Sequence, residues 1–243
     1  MLDRHMTKAA LVASMGMTFL WACGGSQPPP KNDSVAAPSP VSEPKSDVSV
    51  AAEVGGLNEE ATGKIFERAE PGFERCFKIR AKQVEFLTGT ARFFVIIGLD
   101  QKAQSVTVEE SNLGDRDAEK CMQGVLMGMK WPKPVGGRTA HAHYTAAPFE
   151  PLDSDVREAV EVEAEQVKAT QERLKKKVSD CNIGTRSRYQ ATAYIDTSGK
   201  VITASVTSPD PSAELAIDCL VDLVKATEFP SPGSYVGKVT FGL

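Results

Sequence analysis

Apolar residues in the C-terminal part of the chain follow two different periods, one after the other. Alternate positions are apolar from Tyr189 to Ile195 and from Ile202 to Val206, with a turn at Thr197–Lys200 between them, which is typical of two strands. The next apolar positions have helical spacing, and they are Ala216, Cys219, Leu220, Leu223 and Val224. A Pro-x-Pro corner at 230–232 then precedes an expected last strand from Tyr235 to Phe241. The pattern predicts strand, strand, helix and strand.

The same pattern occurs 98 positions earlier without a gap. The matching pairs are Lys102 with Lys200, Cys121 with Cys219, and Trp131 with Phe229. Strands are predicted over Arg92–Ile97, around Val106–Val108 and over Arg138–Tyr144. The helical stripe of this copy is Ala118, Cys121, Met122, Val125 and Leu126. Because several unrelated residue types coincide at one offset, the chain holds an internal repeat.

Each copy begins with a further helical stretch. In the first copy Asn58 is a candidate N-cap, and the stripe that follows is Ile65, Ala69, Phe73, Cys76 and Phe77. Pro71–Gly72 is expected to kink or interrupt this helix. In the second copy Asp153 or Ser154 is expected to cap a longer helix, with the stripe Val156, Val160, Val167, Leu174 and Val178. The predicted fold class is therefore α+β, with two tandem αββαβ domains at residues 56–150 and 151–243.

The first 22 residues have the order of a secretory signal peptide. Arg4 and Lys8 precede an apolar run, Ala9–Ala22, of 14 residues, which is shorter than the roughly 20 needed to cross a bilayer. The run ends in Leu20-Trp21-Ala22-Cys23, which resembles a bacterial lipobox. The alternatives are an ordinary cleaved signal that contains a cysteine and a short buried helix.

The lipobox resemblance implies lipid attachment at Cys23. Several acyl chains would anchor the mature chain durably, and Gly24 after the cysteine favours the outer membrane by analogy with enteric bacteria. Residues 23–55 that follow are rich in proline and poor in large apolar residues. Such a stretch cannot bury enough surface to order itself, so a disordered tether is predicted there.

The composition excludes some functions and suggests a redox environment. A net charge of −4 over 243 residues lacks the basic footprint of a nucleic-acid binder. Each repeat holds two cysteines besides Cys23, and an even pair in an exported domain suggests a disulfide. Cys121 and Cys219 are expected on the core face of one helix, and Cys76 and Cys181 at the end of the neighbouring one. The sequence thus favours Cys76–Cys121 and Cys181–Cys219, with buried free thiols as the alternative.

Few residues qualify for a chemical site. His141 and His143 point to one face of a predicted strand, but two ligands make a weak metal site, and two exposed or edge-strand histidines are the plainer interpretation. Trp131 and Phe229 form a candidate binding corner, or else plug the two cores. The basic run from Arg173 to Lys177 could touch an acidic surface, although cations also stabilise a helix C-terminus. No catalytic set, metal site or cofactor motif is assembled, so a non-enzymatic role is expected.

The repeat unit resembles the AgmX/PglI C-terminal domain family of myxobacterial envelope proteins, which is similar to the TonB C-terminal domain. The residues that carry the resemblance are Gly56-Leu57-Asn58, Cys76-Phe77, Lys102, Asn112-Leu113-Gly114-Asp115, Cys121, Trp131-Pro132-Lys133-Pro134 and Gly136-Gly137 in the first repeat, and Lys200, Cys219, Phe229-Pro230-Ser231-Pro232 and Val239-Thr240-Phe241-Gly242-Leu243 in the second. The resemblance implies a TonB-C-like fold and an envelope partner, either a protein or peptidoglycan.

These observations predict a periplasm-facing, lipid-anchored outer-membrane protein, with exposure at the cell surface left open. Its expected role is a protein-binding or scaffolding module, since small sheets can take up a partner's strand at an open edge. The alternative role is a structural spacer associated with the cell wall.

Overall fold

The computed structural model describes residues 47–51, 56–181 and 188–243. These residues form four α-helices and two four-stranded sheets, which confirms the α+β fold class. Both repeats belong to one compact unit. The predicted signal peptide, Cys23 and most of the predicted tether lie outside the described residues.

The first repeat opens with one long helix, α1 (Glu59–Ala81). The Asn58 side chain caps it by accepting a hydrogen bond from the Ala61 N–H at 2.7 Å. The expected interruption at Pro71 is wrong, because the helix continues through this residue. Pro71 is exposed, while Ala69 and Phe73 on either side of it are buried in the core. Burial of this continuous apolar face stabilises the helix against the loss of one backbone hydrogen bond.

The first sheet has the order β1-β4-β2-β3 and is antiparallel throughout. Its strands are β1 (Asp47–Ala51), β2 (Ala91–Ile97), β3 (Ala103–Ser111) and β4 (Ala140–Thr145), and helix α2 (Arg116–Met127) lies between β3 and β4 in the chain. One face of the sheet, with Phe93 and Val95, joins α1 and α2 in a single core.

Strand β1 corrects the predicted extent of the disordered tether. Asp47–Ala51 pairs with β4 from Asp47 opposite Thr145 to Ala51 opposite His141. The segment reads Asp-Val-Ser-Val-Ala, a short alternation of β-branched and small residues that suits a sheet edge. The tether prediction rested on proline content, and the prolines all precede this segment.

The second sheet has the equivalent order β5-β8-β6-β7, but its first strand runs the other way. Strand β5 (Val160–Val162) is parallel to β8 (Gly237–Gly242), whereas β6 (Gln190–Ile195) is antiparallel to both β7 (Val201–Thr207) and β8. Helix α4 (Glu214–Lys225) covers this sheet.

The long helix expected from residue 153 onward is wrong. The segment instead holds β5, a 3₁₀ turn at Ala164–Val167, the short helix α3 (Lys168–Lys175) and a second 3₁₀ turn at Val178–Cys181. Val160 and Val162 alternate in the strand, and only Val162 is buried. Helical geometry starts after the N-cap Glu163, whose N–H donates to Gln166 Oε1 at 3.1 Å in a capping box.

The backbone repeats the 98-residue offset that the sequence predicts. The N–H of Trp131 donates to the carbonyl of Gln101, and the N–H of Phe229 donates to the carbonyl of Gly199, both at 2.9 Å. Helices α2 and α4 also begin and end at equivalent positions. The hairpin turn, the second helix and the Pro-x-Pro corner are thus one structure built twice.

Candidate functional site

The largest group of buried polar side chains lies where the two repeats meet, a region called here the inter-repeat interface. The second sheet contributes its outer face, which consists of Thr192, Tyr194, Thr203, Ser205 and Lys238. The first repeat contributes the loop at 84–90 and one side of α2, with Asp115, Arg116, Glu119 and Gln123. Side chains that are buried and polar need partners, and most of them find these across the interface.

The loop between α1 and β2 holds the outer face of the second sheet. The Tyr194 hydroxyl donates to the carbonyl of Thr88 and accepts from its N–H, both at 3.0 Å, and Lys238 Nζ donates to the same carbonyl at 2.9 Å. The Phe86 ring packs against the Tyr194 ring with centroids 5.3 Å apart. Between the first cysteine and the turn lysine, the first repeat has seven more residues than the second (26 against 19). This extra length supplies the loop.

Asp115 links three elements at the start of α2. It is fully buried and caps the helix by accepting from the Ala118 N–H at 2.8 Å. Arg80 of α1 donates to both carboxylate oxygens, and the Thr203 hydroxyl of β7 donates to Oδ2 at 2.8 Å. The hydrogen bond with Asp115 raises the pKa of Arg80. The Asn-Leu-Gly-Asp segment of the sequence therefore ends in a residue that joins the repeats.

Ion pairs across the interface join equivalent positions of the two repeats. Arg116 Nη2 lies 2.7 Å from Glu214 Oε1, and Lys120 Nζ lies 2.8 Å from Asp218 Oδ2, and each pair is 98 residues apart. Strand β3 likewise lies against its equivalent β7. Contacts between equivalent positions are the mark of a twofold arrangement, so the repeats pack about a local pseudo-twofold axis.

Arg116 is the central cation of this contact. Its side chain is 6% exposed and also donates to Asp218 Oδ1 at 2.9 Å and to Gln123 Oε1 at 3.1 Å. Burial by itself lowers the pKa of Arg116, but the hydrogen bonds and charges of Glu214 and Asp218 outweigh burial and raise it. The guanidinium therefore stays charged and fixes the relative position of α2 and α4.

Glu119 differs from the other carboxylates of the interface because no cation of the described residues forms an ion pair with it. It is 0% exposed, and neither carboxylate oxygen has a hydrogen-bond partner of good geometry among the described residues. Burial raises the pKa of Glu119 to about 7, although the nearby hydroxyls of Ser111 and Ser205 favour the ionised form. A neutral, protonated carboxyl is the form that this site accommodates.

The two predicted histidines lie on the outer face of the first sheet. His143 Nδ1 is 3.0 Å from Glu109 Oε2, which also accepts from Arg92 Nε at 3.1 Å. The Phe94 ring lies against both imidazoles, with centroids 5.0 Å from His141 and 4.9 Å from His143. Burial and the neighbouring His143 lower the pKa of His141.

The histidine cluster lacks a full set of metal ligands among the described residues. Within the described part of the chain, no three His, Cys, Asp or Glu side chains come together as ligands. Both histidines are half-buried on β4, which lies between β1 and β2. The expectation of exposed or edge-strand histidines is therefore wrong, because β1 occupies the edge.

The candidate binding corner lies inside the two cores. Trp131 is 1% exposed and Phe229 6% exposed. The Trp131 ring packs edge-on against Phe66 at 5.3 Å, and its Nε1 donates to the Leu126 carbonyl at 3.3 Å. Phe229 packs against Phe241. Of the two alternatives, the geometry favours core plugs.

The structure contains both predicted disulfides, Cys76–Cys121 and Cys181–Cys219. Only one cysteine of each pair lies in the core. Cys76 and Cys181 are buried, whereas Cys121 and Cys219 are exposed, so the predicted core position of the latter two is wrong. Each bond therefore ties a helix surface to the preceding helical segment, within α1 for Cys76 and at the end of the second 3₁₀ turn for Cys181.

The basic run ends at a shallow pocket at the C-termini of α3 and α4. Arg173, Lys176 and Lys177 line it together with Glu228. Cations near a helix C-terminus interact favourably with the helix dipole. This local electrostatic interaction accounts for the position of the basic run.

Sequence reasoning missed the inter-repeat interface. A signal was present in the alignment at offset 98, where Glu119 stands opposite Ile217 and Gln123 stands opposite Val221. A polar residue where the repeat carries a core residue indicates a second packing partner for that helix face. The seven extra residues between Cys76 and Lys102 were a second signal, because the loop that contacts the second repeat lies in this stretch.

Comparison of the chain with protein-family models, curated proteins and solved structures gives no match. The resemblance to the AgmX/PglI family therefore stays a prediction that rests on the residues named above. Among the described helices, none is both long and apolar enough to span a membrane.

Proposed function

We propose that this chain is a lipid-anchored protein of the cell envelope that acts as a non-enzymatic binding or scaffolding module. The proposed anchor is Cys23, the proposed location is the periplasmic side of the outer membrane, and the proposed partner is an envelope protein. The domains belong to the TonB-C-like type in this proposal.

The free edge of β1 is the observation that carries the proposal. Of the four terminal strands, β3 and β7 lie against each other, and β5 has only three residues. Strand β1 has five residues and pairs with β4 on one side only, among the described residues. It contains neither lysine nor proline, the residues that commonly protect sheet edges from pairing. A partner strand added here would gain backbone hydrogen bonds without rearrangement of the core.

Proline substitutions in β1 test this mode of binding. Successive residues of an antiparallel strand direct their N–H groups to opposite edges, so Ser49→Pro and Val50→Pro remove donors from different sides. The variant that loses the inward donor, which is the backbone N–H directed toward β4, should destabilise the first sheet. The variant that loses the outward donor should keep the thermal stability of the original chain and lose at least about tenfold in partner recovery after crosslinking in host cells.

A proline added to the tether, Ala36→Pro, is the matched control and should change neither quantity. Unchanged partner recovery in the stability-neutral β1 variant would refute strand addition at this edge. Recovery of peptidoglycan fragments or self-adducts alone from the unmodified chain would favour the spacer role and overturn the proposal.

A further inference from the structure

One side of helix α2 packs in the core of the first repeat. Another side, which includes Glu119, faces the second repeat. Ala118, Met122 and Leu126 of α2 belong to the core of the first repeat. Asp115, Glu119 and Gln123 follow each other at helical spacing on another side, and β7 contributes Thr203 and Ser205 opposite them. At the position equivalent to Glu119, the second repeat has Ile217, a core residue 2% exposed.

The charged groups that act on Glu119 belong to α2, and the neutral hydroxyls that face it come from β3 and β7. Arg116 and Asp115 of the same helix act on it with opposite signs, and the hydroxyls of Ser111 on β3 and Ser205 on β7 face it. Arg116 is already held by Glu214 and Asp218 of α4, and Asp115 by Arg80 of α1. Lys238 of β8 is bonded to Thr88. Each cation at the interface thus has a partner other than Glu119.

The interface is chemically suited to opening. Many of its buried side chains are polar, although Phe86 and Tyr194 also pack together there, and a polar surface can be solvated when the repeats separate, unlike an apolar core. An ionised carboxylate at Glu119 would have only the hydroxyls of Ser111 and Ser205 beside it, without well-formed hydrogen bonds, while the repeats are together, and it would regain full hydration when they part.

We propose that Glu119 is a proton-operated latch between the two repeats, which stay together while its carboxyl carries a proton and separate more readily once the proton leaves.

The direction of the pH dependence follows from the raised pKa. Glu119 titrates at about 7 in the closed arrangement, against an ordinary value of 4.5, so the closed state binds more protons than the open one between these values. Its stability therefore falls as the pH rises through this window and is constant above it. Asp218, whose pKa is lowered from its ordinary value of 3.8, acts in the opposite sense and only below that value. Between pH 5 and pH 8 the opening equilibrium should rise roughly 50-fold.

Hydrogen exchange of the full chain measures this opening directly. The Thr88 N–H bonds to Tyr194 across the interface and reports separation of the repeats. The Val95 N–H in the central strand β2 reports unfolding of the first sheet. After correction for intrinsic exchange rates, the opening constant at Thr88 should rise roughly 50-fold from pH 5 to pH 8, and the change at Val95 should be much smaller.

Three variants decide whether Glu119 is the group that titrates. Glu119→Gln imitates the protonated acid and should reduce the pH dependence at Thr88 to less than about threefold. Ser205→Ala removes a hydroxyl that favours the ionised form and should extend the dependence to higher pH. Glu110→Gln changes an exposed glutamate on β3 and should behave like the unmodified chain.

A pH-independent exchange rate at Thr88 in the unmodified chain would overturn the proposal. So would a pH dependence that survives in Glu119→Gln. If Glu119→Gln does not fold, the Ser205→Ala titration still decides, because an unmoved pH range in that variant contradicts the role of Glu119.

Discussion

The two repeats agree from their central hairpin onward and differ before it. Helices α2 and α4, the turns at Lys102 and Lys200 and the corners at Trp131 and Phe229 superpose at a constant offset in sequence and in hydrogen bonding. Ahead of the hairpin, the first repeat has a helix of 23 residues, and the second has a short helix between two 3₁₀ turns. The strand beside β4 is antiparallel, and the one beside β8 is parallel.

The difference shows which part of the unit determines its own structure. Hairpin, helix and corner are closed by contacts among themselves, such as the backbone bond from each corner aromatic to the preceding turn. The first helix and the first strand follow a segment whose composition differs between the repeats. That segment is rich in proline in one case and acidic in the other. The loop of the first repeat also covers the second sheet, so the repeats have diverged into complementary halves of one interface.

The largest expected effect concerns the corner aromatics. Trp131→Ala and Phe229→Ala should each lower the free energy of unfolding by about 3–5 kcal/mol because both leave a cavity in a core. Trp131→Ala should be the more severe, since it also removes the contact with Phe66 and the bond to Leu126. Urea denaturation measures both values.

Leu99→Ala is a suitable control for the corner, because Leu99 is 48% exposed and should change stability by less than about 0.5 kcal/mol. A Trp131→Ala variant with unchanged stability and lost partner binding would restore the binding-corner interpretation.

The sequence alone predicted the correct element wherever a single residue pattern determines the local structure. The strict alternation from Tyr189 to Ile195 predicted β6, and the apolar stripe around Leu220 predicted α4 within a few residues. The helix prediction failed at Val160–Val162. Val156 and Val160 have helical spacing, but Val160 and Val162 alternate as in a strand, and the strand is what forms. The prediction failed again at Cys121 and Cys219, because the buried face of each helix is rotated toward positions 119 and 123 in α2 and 217 and 221 in α4, which leaves the cysteines exposed. The interface could not be predicted from either repeat alone, since Asp115 meets Arg80 and Thr203 only after both repeats have folded.

A smaller effect is expected from reversing charge at the pseudo-twofold axis. Arg116→Glu should destabilise the chain by about 3 kcal/mol, because it places a carboxylate beside Glu214 and Asp218 in a buried site. The exchange Arg116→Glu with Glu214→Arg returns opposite charges to equivalent positions and should recover at least half of that loss. Thermal unfolding of the single and double variants gives the coupling energy.

The exposed pair Lys64–Glu60 on α1 provides a matched control for that cycle, since both side chains are mostly exposed. Its charge exchange should be neutral within about 0.5 kcal/mol. If Arg116→Glu and the double variant lose the same stability, positions 116 and 214 do not contact each other across the pseudo-twofold axis.

The smallest effects are expected in the hairpin turn, where the two repeats place different residues in the same conformation. Gly199 has φ +90°, and a Cβ there would lie 2.1 Å from the Phe229 carbonyl oxygen. Gln101 at the equivalent position has φ 65°, in a region that non-glycine residues rarely occupy. Gly199→Ala should therefore cost about 2 kcal/mol, whereas Gln101→Gly should stabilise by up to about 1 kcal/mol through relief of strain. Chemical denaturation of the two variants should give shifts of opposite sign, and shifts of the same sign would show that the turns are not equivalent in energy although they share one hydrogen-bond pattern.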